Sequence, residues 1–163
     1  MPIVKKQDGW YFGSKGPFVT RAKAQQVATA AYASGYKEES TMNENTVGEF
    51  IGILFHSATI THFMHLQTDS YSEHKALGDF YEEIVEVTDS LAEAIQGLYQ
   101  QKITNYPKMF VNIDKTPVEY LKVLKDLVAN NRDDMPQESN IQNEIDNIAT
   151  LIDSTLYKLT FLK

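Results

Sequence analysis

From Leu77 to Leu98 the chain returns an apolar residue or a threonine every three or four positions, at Leu77, Phe80, Tyr81, Ile84, Val87, Thr88, Leu91, Ile95 and Leu98. A 3.6-residue period held for about six turns commits the segment to a helix with one buried face. Such a face needs other helices to cover it. Three further segments repeat the pattern. Val47, Phe50, Ile51, Leu54, Ala58, Thr61 and His65 define a helix that begins near Asn45, with Thr41 or Asn43 as its cap. Thr116-Pro117 starts another, a cap followed by proline at the first helical position, with Glu119 in the first turn and Tyr120 or Leu121, Leu124 and Val128 facing inward. Ile141, Ile145, Ile148, Ile152, Leu156 and Leu159 carry the last one almost to Leu162. Thr68 to Ser72, Thr104 to Lys115 and Arg132 to Ser139 lack the period and read as connections. The expected architecture is mainly α, an antiparallel four-helix bundle over residues 45–163.

The first 37 residues follow different rules. They hold six cations, Lys5, Lys6, Lys15, Arg21, Lys23 and Lys37, against Asp8 alone, whereas the remaining residues hold nine cations and 21 acids. Asp8-Gly9 lies between Ile3 to Lys6 and Trp10 to Phe12 and reads as a hairpin turn. Gly13-Ser14-Lys15-Gly16-Pro17 breaks the regular pattern. Arg21 to Tyr32 is composed of helix formers, with Thr20 as cap and Gly35 as stop. Ala24, Val27 and Ala31 offer a small face for Trp10, Phe12 and Phe18. Residues 1–37 are therefore expected to form a small ββα-like appendage, joined to the bundle by a polar connector at 38–44. An appendage of that size buries too little surface to stand comfortably alone.

Several function classes fall away. The chain has no cysteine, so disulfides and thiolate metal sites are excluded while histidine and carboxylate sites stay open. Gly13, Lys15 and Gly16 do not follow the spacing of a phosphate-binding loop, and neither a Gly-x-Ser-x-Gly elbow nor a His-Glu-x-x-His motif occurs. No stretch approaches the roughly 20 apolar residues of a membrane span, and no leader pattern opens the sequence, so a soluble intracellular protein without a membrane partner is expected. The Lys5, Lys6, Trp10, Lys15, Arg21 and Lys23 set offers cations beside aromatic rings, a candidate contact surface for nucleic acid or for another partner.

Two resemblances add to this. His62, then His74, then Phe80-Tyr81-Glu82-Glu83 and Asp89-Ser90-Leu91-Ala92-Glu93-Ala94-Ile95 resemble the central region of the Dps-type ferritins, a branch of the ferritin-like superfamily that stores iron and protects DNA. Asn143 to Leu162 resembles that family's last helix. The resemblance implies a ferritin-like bundle, a homo-oligomer, and a ferroxidase centre between two subunits. Its iron ligands would be His62 and His74 from one chain with Asp89 and Glu93 from another. At about 100° per residue, Asp89 and Glu93 project away from the Leu77, Ile84 and Leu91 stripe, toward a neighbouring subunit rather than into the bundle. The pattern departs from the family at three places. Gly78 stands where an acidic ligand follows the second histidine, with Asp79 shifted by one residue; Phe63 replaces a tryptophan; and Ala94 replaces a basic residue.

The second resemblance is of the N-terminal segment, an aromatic strand followed by Gly-Ser-Lys-Gly-Pro-Phe, Thr-Arg and an alanine-rich helix, to small modules in proteins of tailed phages. The expected function is that of a noncatalytic oligomeric structural or interaction protein of a phage, without a cofactor, located in the host cytoplasm or in the virion and contacting phage or host proteins. The competing expectation is an iron-binding ferroxidase and DNA-protection protein. As plain surface or core residues, the same histidines and acids need no ligand. His56 is expected on the exposed side of its helix, and His65 nearer the buried stripe than His62.

Overall fold

The computed structural model describes residues 3–12, 15–34 and 42–162 of the chain. Gly13-Ser14, the expected helix stop at Gly35, the alternative cap Thr41 and positions 38–41 of the expected connector lie outside the described residues. Contacts divide the chain into two units, Met1–Ser40 and Thr41–Lys163.

The first unit is a three-stranded antiparallel sheet, in the order β1 (Ile3–Lys6), β2 (Gly9–Phe12) and β3 (Lys15–Phe18), followed by α1 (Arg21–Ala33). Lys6 pairs with Gly9, so the hairpin loop is Gln7-Asp8, one residue earlier than Asp8-Gly9, and Gly9 opens β2 at φ +150°. β3 replaces the expected break. Gly16 is what allows it: a Cβ there would stand 2.7 Å from the Tyr11 ring and 2.8 Å from the Trp10 carbonyl oxygen, at a φ of +143°. Only glycine passes that close in that conformation. Thr20 caps α1 by accepting the Lys23 amide at 3.2 Å. Phe12 is buried against Ala28 and Ala31, with Ile3 and Val27 at the margin.

The second unit contains α2 (Glu44–Gln67), α3 (Tyr71–Tyr99), α4 (Pro117–Asn131), a single 3₁₀ turn (Arg132–Asp134) and α5 (Ser139–Phe161). The whole is mainly helical with a small N-terminal antiparallel sheet. α3 packs on both α2 and α5, and α4 lies against α5 and α2. One core joins Phe50, Ile51 and Leu54 of α2, Phe80, Ile84, Leu91 and Ile95 of α3, Leu121 and Leu124 of α4, and Ile141, Ile145 and Ile148 of α5. The turn between α2 and α3 is shorter than the pattern suggested. Ser70 accepts the Glu73 amide at 3.4 Å, and Thr68 donates to the Glu73 carboxylate at 2.5 Å, so α3 starts at Tyr71. At α4 the Thr116 side chain accepts the Glu119 amide while Glu119 accepts the Thr116 amide, a full capping box ahead of Pro117.

The segment between α3 and α4 is irregular, as expected, but it is not slack. Thr104 donates from both its amide and its hydroxyl to Glu44, and Asn105 pairs with Asn45, at the first turn of α2. Pro107 lies over Gly52, the His56 Nε2 donates to the Phe110 carbonyl at 3.2 Å, and Ile113 joins Ile60, Met64 and Leu77 near the end of α2. His56 is therefore half-buried beneath this strap rather than exposed. Tyr120 of α4 packs against the same Ile60, Met64 and Leu77 group. The strap has returned the chain along the length of α2, so α4 begins where α3 begins and runs in the same direction. Leu159 in that group, and an ion pair from Lys158 to Asp79, place the end of α5 there too. Among the described residues no helix is long and apolar enough to cross a membrane.

Gly48 lets the strap backbone approach, since a Cβ at that position would fall inside the Asn105 carbonyl. Gly48→Ala is expected to displace Thr104-Asn105 from Glu44-Asn45 and to destabilise the chain by about 1–3 kcal/mol. Urea unfolding measures the loss, and cleavage by limited proteolysis should move into residues 101–116. Thr88 is fully buried on α3, and its hydroxyl has no hydrogen-bond partner among the described residues. Thr88→Val keeps the shape and removes the orphaned group, so the urea midpoint should rise by the equivalent of about 1 kcal/mol.

Candidate functional site

Four rings gather where α2 ends and α3 begins. His62 and His65 are one turn apart on α2, and His74 and Tyr81 lie in the first turns of α3, brought opposite by the three-residue turn. His65 stacks on His74 with ring centroids 3.6 Å apart and 24° between planes. His62 stacks on Tyr81 at 4.2 Å and 11°. His65 also meets His62 and Tyr81 edge-on, at 5.9 and 5.3 Å. The stacked pair is bonded reciprocally: the His65 Nδ1 donates to the His74 carbonyl at 2.7 Å, and the His74 Nδ1 donates to the His65 carbonyl at 3.0 Å. These bonds tie the last turn of one helix to the first turn of the next. They also fix the proton on Nδ1 in both rings.

Gly78 is part of this arrangement. A Cβ at Gly78 would stand 3.4 Å from both Cε1 and Nδ1 of His65. That leaves van der Waals contact for one methyl group, and a side chain continuing toward the ring would meet it. The shifted acid, Asp79, is engaged elsewhere. Lys75 donates to its Oδ1 at 2.8 Å and Lys158 of α5 to its Oδ2 at 3.2 Å. The Lys75 bond, with Lys158 adding to it, holds the Asp79 carboxyl below the ordinary aspartate range.

The residues present do not fit a di-iron half-site. The two histidines expected to act together, His62 and His74, stack on different partners, Tyr81 and His65. Among the described residues no carboxylate joins them: Gly78 has none, and both oxygens of Asp79 are held by lysines. Asp89 and Glu93 are exposed on later turns of α3. At a rise of about 1.5 Å per residue, Asp89 is some 22 Å along the helix from His74, so the chain itself does not bring the four expected ligands together. Among the described residues no group of three histidines, aspartates or glutamates is arranged to hold an ion. Sequence reasoning missed Tyr81 as a ring partner, treating it as part of the core stripe, and missed the packing of His65 on Gly78. The i, i+3 spacing of His62 and His65 was the available signal.

In the first unit, the Lys5 ammonium lies 5.8 Å from the centre of the Trp10 ring and that of Lys6 lies 4.6 Å from Tyr11. The Tyr11 hydroxyl donates to Asp8 at 2.5 Å, and this bond holds the phenol above its ordinary range. Lys15 is on β3, while Arg21 and Lys23 are exposed in the first turn of α1. Neighbours in a strand face opposite ways, so Trp10 and Tyr11 do not make one stacking platform.

Residues 65–159 match the profile of a family of unknown function, DUF5856. The chain belongs to that family. The DUF5856 match starts at His65 and takes in α3, the strap, α4 and most of α5, leaving out the first unit and most of α2. No curated protein and no solved structure is detectably similar to the chain.

The lysine clamp on Asp79 has a pH signature. A carboxylate with a depressed folded pKa contributes stability that is present above the ordinary aspartate range and is lost as pH falls through the lowered value. Asp79→Asn should cost at most about 1 kcal/mol at pH 7, because the clamp is partly solvated. It should also flatten the decline of stability below about pH 4, measured by urea unfolding at each pH.

Proposed function

We propose that the chain is a noncatalytic oligomeric structural or interaction protein, built on a ferritin-like antiparallel four-helix bundle and divergent from the Dps-type ferritins. The observation that carries this reading is the His65 ring against Gly78, where the family resemblance calls for an acidic ligand. A stacked imidazole pair with both Nδ1 protons bonded to backbone carbonyls serves as a cross-tie between helices. The strap supports the bundle part of the proposal: two helices, a long crossover connection and two more helices are the ferritin-like order. Service to a tailed phage rests on the resemblance of the first unit to phage modules, and the partners on this reading are further copies of the chain and a phage or host protein. No cofactor is required.

The iron-binding reading, with His62 and His74 of one chain facing Asp89 and Glu93 of another, draws support from a specific feature. Asp89 and Glu93 are exposed and have no ion pair among the described residues. Anaerobic addition of ferrous iron followed by oxygen separates the two. The noncatalytic reading expects oxidation at the buffer rate, and sedimentation unchanged in His62→Ala and Glu93→Ala. Stoichiometric iron binding with rapid oxidation, lost in those variants, would replace it with the ferroxidase, and a monomer at micromolar concentration would remove the oligomeric part.

A further inference from the structure

We infer that the first unit is a binding module for the phosphate backbone of duplex nucleic acid, a role independent of what the second unit does. The charge division is the starting point. Residues 1–40, the first unit, hold six cations and three acids, Asp8, Glu38 and Glu39, while the rest of the chain holds nine cations and 19 acids. A polyanion is attracted to one unit and repelled by the other, so any contact is confined to the first.

The structure shows what that contact would meet. α1 contains no acidic residue along its length, and its solvent face carries Arg21, Lys23, Gln25, Gln26 and Thr29, all exposed. Between them stand the small side chains of Ala22, Ala30 and Ala33, which keep the surface low enough for a backbone to approach. The face therefore carries two cations among neutral hydrogen-bonding groups, the residue types that contact phosphate oxygens. On the buried face of the same helix Ala24, Ala28 and Ala31 are enclosed and the latter two pack with Phe12, so the exposed groups stand on a packed element.

The rings decide between duplex and single strand. Binding a single strand uses aromatic faces on which successive bases stack. Phe12 is buried, Tyr11 is bonded to Asp8 beneath Lys6, and Trp10, on the other face of the sheet, is half-buried beside Lys5. No pair of them forms a stacking surface. What remains is sequence-independent attraction to phosphates, which releases counterions and weakens steeply with salt.

The test uses the full chain and a labelled duplex of about 20 base pairs and arbitrary sequence, read by fluorescence anisotropy from about 25 to 200 mM salt. Binding at low salt is expected, with log Kd rising linearly with log salt at a slope of about 3–5. The double variant Arg21→Gln, Lys23→Gln should weaken binding at least tenfold and lower that slope by about two. Circular dichroism of the variant checks that the helix persists. Failure to bind at the lowest salt overturns the inference, as does a slope unchanged in a folded double variant. Equal displacement of the duplex by polyglutamate would overturn it in favour of an acidic protein partner, and tighter binding to phosphatidylserine vesicles than to duplex would overturn it in favour of a membrane surface. If the variant unfolds, Lys15→Gln in its place must weaken binding at least threefold, and an unchanged affinity sinks the inference.

Discussion

The buried stripe of α3 is the surface on which the second unit depends. Leu77, Phe80, Ile84, Leu91 and Ile95 are fully buried, and both α2 and α5 pack on the helix that carries them. Most of a helix's stability in a protein comes from tertiary packing of its apolar face, so burial of this stripe supplies most of what holds the 29 residues of α3. At roughly 1.5–3 kcal/mol for each large apolar side chain removed from water, even five such residues outweigh any of the ion pairs among the described residues, which are all partly solvated. The caps and clamps refine where the elements start. They do not decide that the helices associate.

That hierarchy explains which parts of the fold were legible in the sequence. Periodicity located all four long helices, because the signal that makes a helix recognisable is the burial that stabilises it. Thr116-Pro117-x-Glu119 fixed the start of α4 for a local reason, since a capping box involves only neighbours in the chain. The strap was legible only as an absence of pattern. Its path depends on Gly48 and Gly52 meeting Asn105 and Pro107 more than 50 positions away, and a glycine in a helical sequence does not say which backbone it makes room for. β3 was missed for the same reason: Gly16 reads as a breaker until the Tyr11 ring is placed beneath it.

The candidate site was legible in composition and not in geometry. His62, His65 and His74 were each visible as residues able to bind a metal, and Asp89 and Glu93 as acids turned away from the core. Ring stacking and the reciprocal bonds from Nδ1 to carbonyl oxygen depend on the angle at which α2 and α3 meet across Thr68-Asp69-Ser70. Ser70 caps α3 by accepting the Glu73 amide and Thr68 holds the Glu73 carboxylate, which together set the start of α3 at Tyr71. A later start would carry His74 around the helix by about 100° per residue and away from His65. The turn therefore selects which imidazoles meet, and through them what the corner can do.

A metal centre and an imidazole cross-tie make different demands on the same residues. A centre needs lone pairs that converge on one point and anionic ligands to balance the ion's charge. A cross-tie needs each ring to face another ring, while an Nδ1–H held by a carbonyl serves either arrangement. At this corner the second set of demands is met: His65 and His74 exchange bonds, His62 lies flat on Tyr81, and Asp79 balances two lysines. Gly78 is the residue where the two demands meet, because a Cβ there would already touch the His65 ring at 3.4 Å. A chain that fills this corner with rings retains the tie between α2 and α3 without an ion, and the association of the helices then rests mainly on apolar burial.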